Sequence, residues 1–291
     1  MNISIIGLGL LGGSTALALK ERLPGVRIIG VDTSRQHAAQ ALALGIADKI
    51  LPLTEAVAQS DVVVVAVPVD TIVEMLPQVL DLITDGAVVV DLGSTKECIC
   101  QVVDSHPRRS RFVAGHPIAG TERSGPVAAF NELLIGKQMI ICDRERSDVD
   151  ALEIIENIFR NRLRMQISYM DGADHDRHIA YVSHLSHISS FALSNTVLAK
   201  EKDEQSIFEM AGSGFSSTVR LAKSNPSMWA PIFIQNAQNV SQSLSAYIDE
   251  LQQFKVWLEE QNEENMYRWM EDANGIRTIL SGIHSNEENQ A

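Results

Sequence analysis

Three stretches of the chain carry more polar chemistry than packing requires. The first, Asp91-Leu92-Gly93-Ser94-Thr95-Lys96, closes an apolar run with a Gly-Ser turn and a lysine just behind it. Its plain reading is a Ser/Thr helix cap; at the carboxyl end of a buried strand it is also a ligand position. The second, Gly115-His116-Pro117-Ile118-Ala119-Gly120-Thr121-Glu122-Arg123-Ser124-Gly125, holds a histidine between glycine and proline directly after another apolar run. A neutral imidazole is a competent proton acceptor near pH 7, worth ~10²- to 10⁴-fold in rate when correctly placed. The alternative is a histidine that only makes a structural hydrogen bond. The third is His175-Asp176-Arg177-His178 followed by Ser183-His184-Leu185-Ser186-His187. On a helix, Asp176, Ala180, Ser183, His184 and His187 share one side through spacings of three and four. That side suits a substrate, or it consists of satisfied interior histidines. A metal is not expected, since there is no HExxH pair and hard cations want more carboxylates.

These groups need a scaffold, and the amino terminus supplies its first turn. A short apolar run, Ile3 to Ile6, stops at Gly7-Leu8-Gly9-Leu10-Leu11-Gly12 and a helical pattern, Thr15 to Leu23, follows. Gly7 suits a tight turn, Gly9 lets the backbone close on a pyrophosphate, and Gly12 lets helix pack on strand; the N–H groups around Leu10 and Leu11 then face phosphate. Glycines that merely serve a tight turn are the simpler explanation, but the strand before, the helix after and a second apolar run, Val26 to Val31, favour a dinucleotide. Asp32 ends that run twenty residues beyond Gly12. A carboxylate there accepts from ribose hydroxyls and repels a 2′-phosphate, so NAD is favoured over NADP, with Arg35 the nearby group able to accommodate that phosphate. Val67-Pro68 ends a further strand at the edge along which the cofactor should extend.

Apolar runs continue at Asp61 to Val67, Ala87 to Leu92, Arg111 to Ala114 and Gln138 to Cys142, with Arg164 to Ile167 a last short candidate. Runs that are apolar at every residue, such as Val62-Val63-Val64-Val65, imply burial on both faces and hence a parallel sheet between helical layers. Helical punctuation separates them. The expectation is an α/β Rossmann-type, doubly wound, mostly parallel sheet over residues 1–168. After about Ser168 the strand signal ends. Segments 170–200, 203–210, 216–223, 227–261 and 263–283 read as helices, giving an all-α domain over 169–283 and a disordered tail at 284–291.

Composition narrows the classes. With 24 basic and 37 acidic residues the net charge is −13, which argues against a nucleic-acid surface and makes an anionic ligand depend on locally placed cations. The apolar runs are strand length, so no membrane span is expected, and the amino terminus shows no secretory pattern; a cytoplasmic protein follows. Cys98, Cys100 and Cys142 are too few for a disulfide framework and read as small buried thiols.

Taken in order, Gly7 to Ser14, Gly93-Ser94-Thr95-Lys96, Gly115 to Glu122, His175-Asp176, Ser183-His184-Leu185-Ser186-His187, and Arg220-Leu221-Ala222-Lys223-Ser224-Asn225-Pro226 with Met228-Trp229 closely resemble the prephenate dehydrogenases of tyrosine biosynthesis. The resemblance runs from Met1 to about Ile234. It implies NAD-linked oxidative decarboxylation of prephenate to 4-hydroxyphenylpyruvate and CO₂, by a Rossmann domain joined to a helical dimerisation domain, in a homodimer. It also implies roles. His116 would accept the proton of the ring 4-hydroxyl, and Ser94 would contact the same hydroxyl beside the cofactor. Arg220 would hold a substrate carboxylate, with Lys96, His187, His184, Ser183 and Glu122 completing a polar lining. Phe215-Ser216-Ser217-Thr218-Val219 stands where many members carry charge, and Ser186 replaces the proline of the family's SHLPH. Neither a chorismate mutase segment before residue 1 nor a ligand-binding module after residue 283 is expected. The rival readings are an arogenate dehydrogenase and a non-catalytic NAD-binding regulator.

Overall fold

The computed structural model describes residues 1–203 and 206–279; the expected tail at 284–291 lies outside them. Eight strands form one sheet: β1 (Asn2–Ile6), β2 (Arg27–Val31), β3 (Lys49–Ile50), β4 (Val62–Val65), β5 (Val88–Asp91), β6 (Phe112–Pro117), β7 (Gln138–Cys142) and β8 (Gln166–Met170). Their order is β3-β2-β1-β4-β5-β6-β7-β8. Every pairing is parallel except β6 with β7. The antiparallel step has a local cause, since the chain from Ile118 to Lys137 contains only a short 3₁₀ turn and no crossover helix.

Between the strands run α1 (Leu10–Arg22), α2 (Arg35–Ala43), α3 (Leu53–Val57), α4 (Val69–Leu82), α5 (Glu97–Val102) and α6 (Val149–Glu156), the last continued by π-helical residues Asn157–Arg162. The all-valine β4 shows why both faces are covered. Val62 and Val64 belong to one apolar core with Ile3, Ile5, Val88 and Val90. Val63 and Val65 belong to the opposite core with Val89, Ile72 and Leu76. Period-two alternation thus feeds two helical layers from one strand. The doubly wound class expected from the runs is the observed one.

After β8 the chain is helical: α7 (Gly172–Ile179), a π turn at Ala180–His184, α8 (Leu185–Asp203), α9 (Ser213–Thr218), α10 (Pro226–Gln235), α11 (Ala237–Glu259) and α12 (Glu263–Ala273). By packing, the chain divides at Ala237/Gln238. The expected boundary at 168/169 falls where the sheet ends, within β8. Trp229 and Ile232 of α10 join the core beside α4, and Thr95 Oγ1 donates to Gln235 Oε1 at 2.7 Å. The unit from Gln238 onward is held by its own contacts. Trp269 Nε1 donates to Glu250 Oε2 at 2.6 Å, and its ring lies 5.2 Å from that of Phe254. Among the described residues no helix is long and apolar enough to cross a membrane.

Candidate active site

The first βα turn has the shape of a phosphate cradle. Gly7 sits at φ +92°, and a Cβ there would lie 2.4 Å from the Ala66 carbonyl oxygen. At Gly12 a Cβ would fall 2.0 Å from Gly7 O, so α1 reaches the turn only because that residue is glycine. Gly9 faces open space, with nothing within 4 Å of an added Cβ, and no side chain caps α1. The free N–H groups of the first helical turn, around Leu10 and Leu11, therefore suit an anion arriving from outside. Asp32, at the end of β2, takes Leu8 N on Oδ2 at 3.0 Å and Ser34 N on Oδ1 at 2.8 Å. Arg35 begins α2 and is exposed, and Val67-Pro68 leads from β4 into α4. This geometry fits a dinucleotide with a free ribose hydroxyl near Asp32.

Two strands over, Asp91 and Lys96 form an ion pair whose side chains are both fully buried. Lys96 Nζ also donates to Gly115 O at 2.7 Å. Asp91 takes Gly93 N at 2.8 Å and Gly115 N at 3.1 Å. The pair ties the turn after β5 to the residue preceding His116. The ammonium of Lys96 is engaged by Asp91 and a carbonyl, away from solvent, and so acts as an internal clamp. Ser94, in the same turn, is half-buried.

His116 lies on β6 opposite Ile140 and is buried. Burial, seconded by neighbouring His175 and Lys96, holds its pKa well below the usual histidine value, so the ring is neutral near pH 7. His116 Nδ1 is 2.7 Å from His175 Nε2, and His175 Nδ1 is 2.8 Å from Asp176 Oδ1. Asp176 in turn accepts from Lys96 N at 2.7 Å and Glu97 N at 3.0 Å. His175 and Asp176 were legible in the sequence, as a polar helix side and as part of the resemblance; the contact of His175 with His116, 59 residues away, was not.

The π turn at Ala180–His184 widens the helix where the polar side passes, and it separates the histidines. His184 turns inward: Asn236 Nδ2, 2.7 Å from Asp176 O, lies 3.2 Å from His184 Nδ1. Burial pushes the His184 pKa down to about 4. His184 is thus an interior residue, fixed by Asn236, which breaks the helix read across 227–261. Its Nε2 and the Trp229 Nε1 are buried without a hydrogen-bond partner among the described residues. His187 is half-buried and stacks on Trp229, ring centroids 3.5 Å apart. Its Nδ1 donates to Ser183 O at 3.0 Å, so the Ser183 carbonyl is occupied locally.

Arg220 is exposed at the start of a 3₁₀ turn, with Glu122 3.8 Å away as a half-buried partner. The turn is fastened from α8. Ser190 Oγ donates to Thr218 O at 3.0 Å and accepts from Ala222 N at 3.1 Å, gripping the chain on both sides of Arg220. Nothing in the sequence pattern singles out Ser190. Among the described residues there is no cluster of three or more metal-ligating side chains.

A glycine-turned cradle on a doubly wound sheet, with a buried neutral imidazole two strands beyond β4, defines the class of dinucleotide-dependent oxidoreductases. The prephenate dehydrogenase nucleotide-binding domain model matches residues 15–164, and the prephenate dehydrogenase dimerization domain model matches residues 171–272. The chain belongs to the prephenate dehydrogenase family. It is 31% identical over 281 residues to the prephenate dehydrogenase of Bacillus subtilis (strain 168), covering 96% of this chain and 76% of that one. It is similar to the crystal structure of A. aeolicus prephenate dehydrogenase in complex with hydroxyphenyl propionate and NAD+, with TM-score 0.88, 30% identity, and 96% and 98% of the two chains covered. A Synechocystis arogenate dehydrogenase structure matches with TM-score 0.76 and 26% identity, covering 96% of this chain and 100% of that one.

Proposed function

We propose that the protein oxidises and decarboxylates prephenate to 4-hydroxyphenylpyruvate and CO₂ with NAD, as a homodimer formed through its helical part. The observation that carries this reading is the buried, neutral His116 with one ring nitrogen engaged by His175. An imidazole so held is a proton acceptor at its other nitrogen. Gly7, Gly9, Leu10, Leu11 and Gly12 would hold the pyrophosphate, Asp32 and Arg35 the adenosine side, and Val67, Pro68 and Ser94 the approach to the ring. The bound cofactor supplies a hydride acceptor. His116 draws the proton from the substrate 4-hydroxyl while the C4–H bond breaks and its electron pair leaves with the hydrogen as hydride, so C4 gains carbonyl character, with Ser94 steadying that oxygen. The ring is then an electron sink, so the C1–carboxylate bond breaks, its electron pair aromatises the ring, and the phenolate oxygen takes the proton back from His116.

Arg220 would exchange Glu122 for a substrate carboxylate, with His187 and Ser183 beside it. This supplies the local cation that a chain of net charge −13 needs. Arogenate, with an amino group replacing the side-chain keto group, is the second reading, favoured by the Synechocystis relative. Steady-state kinetics with both substrates test the choice, and a higher kcat/KM for arogenate overturns it. His116→Asn should lower kcat steeply with NAD binding intact. Retained kcat in that variant would show that the proton acceptor lies elsewhere, and binding of NAD without any turnover would favour the regulator.

A further inference from the structure

A histidine accepts a proton at Nε2 only when its Nδ1 carries the hydrogen, so the reaction depends on which tautomer His116 adopts. The hydrogen-bond chain behind His116 decides this. Asp176, at one end, is a carboxylate and accepts only. Its Oδ1 therefore takes the proton of His175 Nδ1, 2.8 Å away. A neutral His175 then presents a bare Nε2, and at 2.7 Å that lone pair receives the hydrogen of His116 Nδ1. The remaining nitrogen of His116, Nε2, is left with its lone pair. If His175 instead held protons on both nitrogens, His116 would have to accept at Nδ1 and carry its hydrogen at Nε2, where it could take no proton.

The chain is anchored where it starts. Asp176 is 1% exposed and receives two backbone N–H groups, from Lys96 and Glu97, at 2.7 and 3.0 Å. Its own carbonyl accepts from Asn236 Nδ2. His175 is likewise 1% exposed and meets His116 edge-on, ring centroids 5.0 Å apart. The other charged or titratable groups acting on His116 are Lys96, paired with Asp91, and His184, tied to Asn236. None of them supplies an alternative acceptor for His116 Nδ1.

We propose that His175, oriented by Asp176, is a positioning residue that fixes His116 in the Nδ1–H tautomer and so makes Nε2 the proton-accepting atom. The inference deepens the reading of His116 as proton acceptor and rests on it. It has the logic of a hydrogen-bonded orienter behind a general base, in which a wrong tautomer leaves the geometry intact and removes the activity.

The test uses the full chain with ¹⁵N-labelled histidine rings. Two-bond ¹H–¹⁵N spectra near pH 7 should show His116 as the Nδ1–H tautomer in the wild type, assigned by comparison with His116→Asn. His175→Leu removes the acceptor, whereas His175→Gln keeps an amide oxygen near the place of Nε2. The Leu variant should shift His116 toward Nε2–H and lower kcat by ~10²-fold or more, within the range of general-base effects, with KM and NAD affinity within a few-fold of wild type. The Gln variant should restore the tautomer and much of kcat. An Nε2–H tautomer in the wild type overturns the proposal, as does a Leu variant with unchanged tautomer and kcat, or a Gln variant no better than Leu. The wild-type and Gln spectra decide the matter even if the Leu variant does not fold. The tautomer measurement needs no turnover, so a failure of the substrate assignment is separately visible as a correct tautomer in a protein that does not oxidise prephenate.

Discussion

Replacing Lys96 by methionine separates a clamp from a substrate contact. Both partners of the Asp91–Lys96 pair are fully buried, so solvent screening does not reduce their interaction. Methionine keeps the stem volume and removes the ammonium, leaving Asp91 with the Gly93 and Gly115 N–H groups but no countercharge. Breaking one side of a buried pair costs about 3–5 kcal/mol. For a compact unit of this size each kcal/mol lowers Tm by roughly 2–4 °C, so the variant should melt about 6–20 °C below wild type by circular dichroism or calorimetry. The double variant Asp91→Asn with Lys96→Met should recover a large part of the loss, since no buried charge is then stranded. kcat should fall as well, because the Gly115 carbonyl, next to His116, loses its donor. A wild-type Tm combined with a raised KM for substrate would refute the clamp and return Lys96 to the substrate lining.

Three further outcomes follow from the geometry. Burial depresses the pKa values of His116, His184 and His187 below that of an exposed histidine; their stabilisation is complete above the unfolded value of about 6.5 and is lost as pH falls through the folded values, with His184 alone worth about 3 kcal/mol between pH ~6.5 and ~4. Urea titrations across that window should show the loss, and a flat stability profile would contradict neutral burial. Asp32→Ser should lower the ratio of kcat/KM for NAD over NADP; an unchanged ratio would remove Asp32 from the discrimination. Ser190→Ala deletes two hydrogen bonds around the Arg220 turn, worth about 1–3 kcal/mol together, and should raise substrate KM several-fold at nearly constant kcat. An unaltered KM would mean that the turn holds Arg220 without Ser190.

The sheet was legible because its signals are local. All-apolar strands such as Val62 to Val65, glycine turns and Asp32 state their places within a few residues. β3 escaped notice because Lys49–Ile50 is too short to show a period. The long helix read over 227–261 breaks at Asn236, whose amide is claimed by Asp176 O and His184, a tertiary contact that overrides helix propensity. The site divides the same way. His116 announced itself by its glycine and proline neighbours, and Ser94 and Arg220 by family resemblance. Burial of a cation is not written in a local pattern, so nothing in the sequence pairs Lys96 with Asp91. The His116–His175–Asp176 chain joins segments 59 residues apart, and only folding brings them together.

The most direct measurement of the central claim is the stoichiometry of products from prephenate and NAD with the purified protein. The purified protein should yield NADH, CO₂ and 4-hydroxyphenylpyruvate in equal amounts, at a rate that His116→Asn largely abolishes. No NADH from either prephenate or arogenate, in a protein that binds NAD, would contradict it.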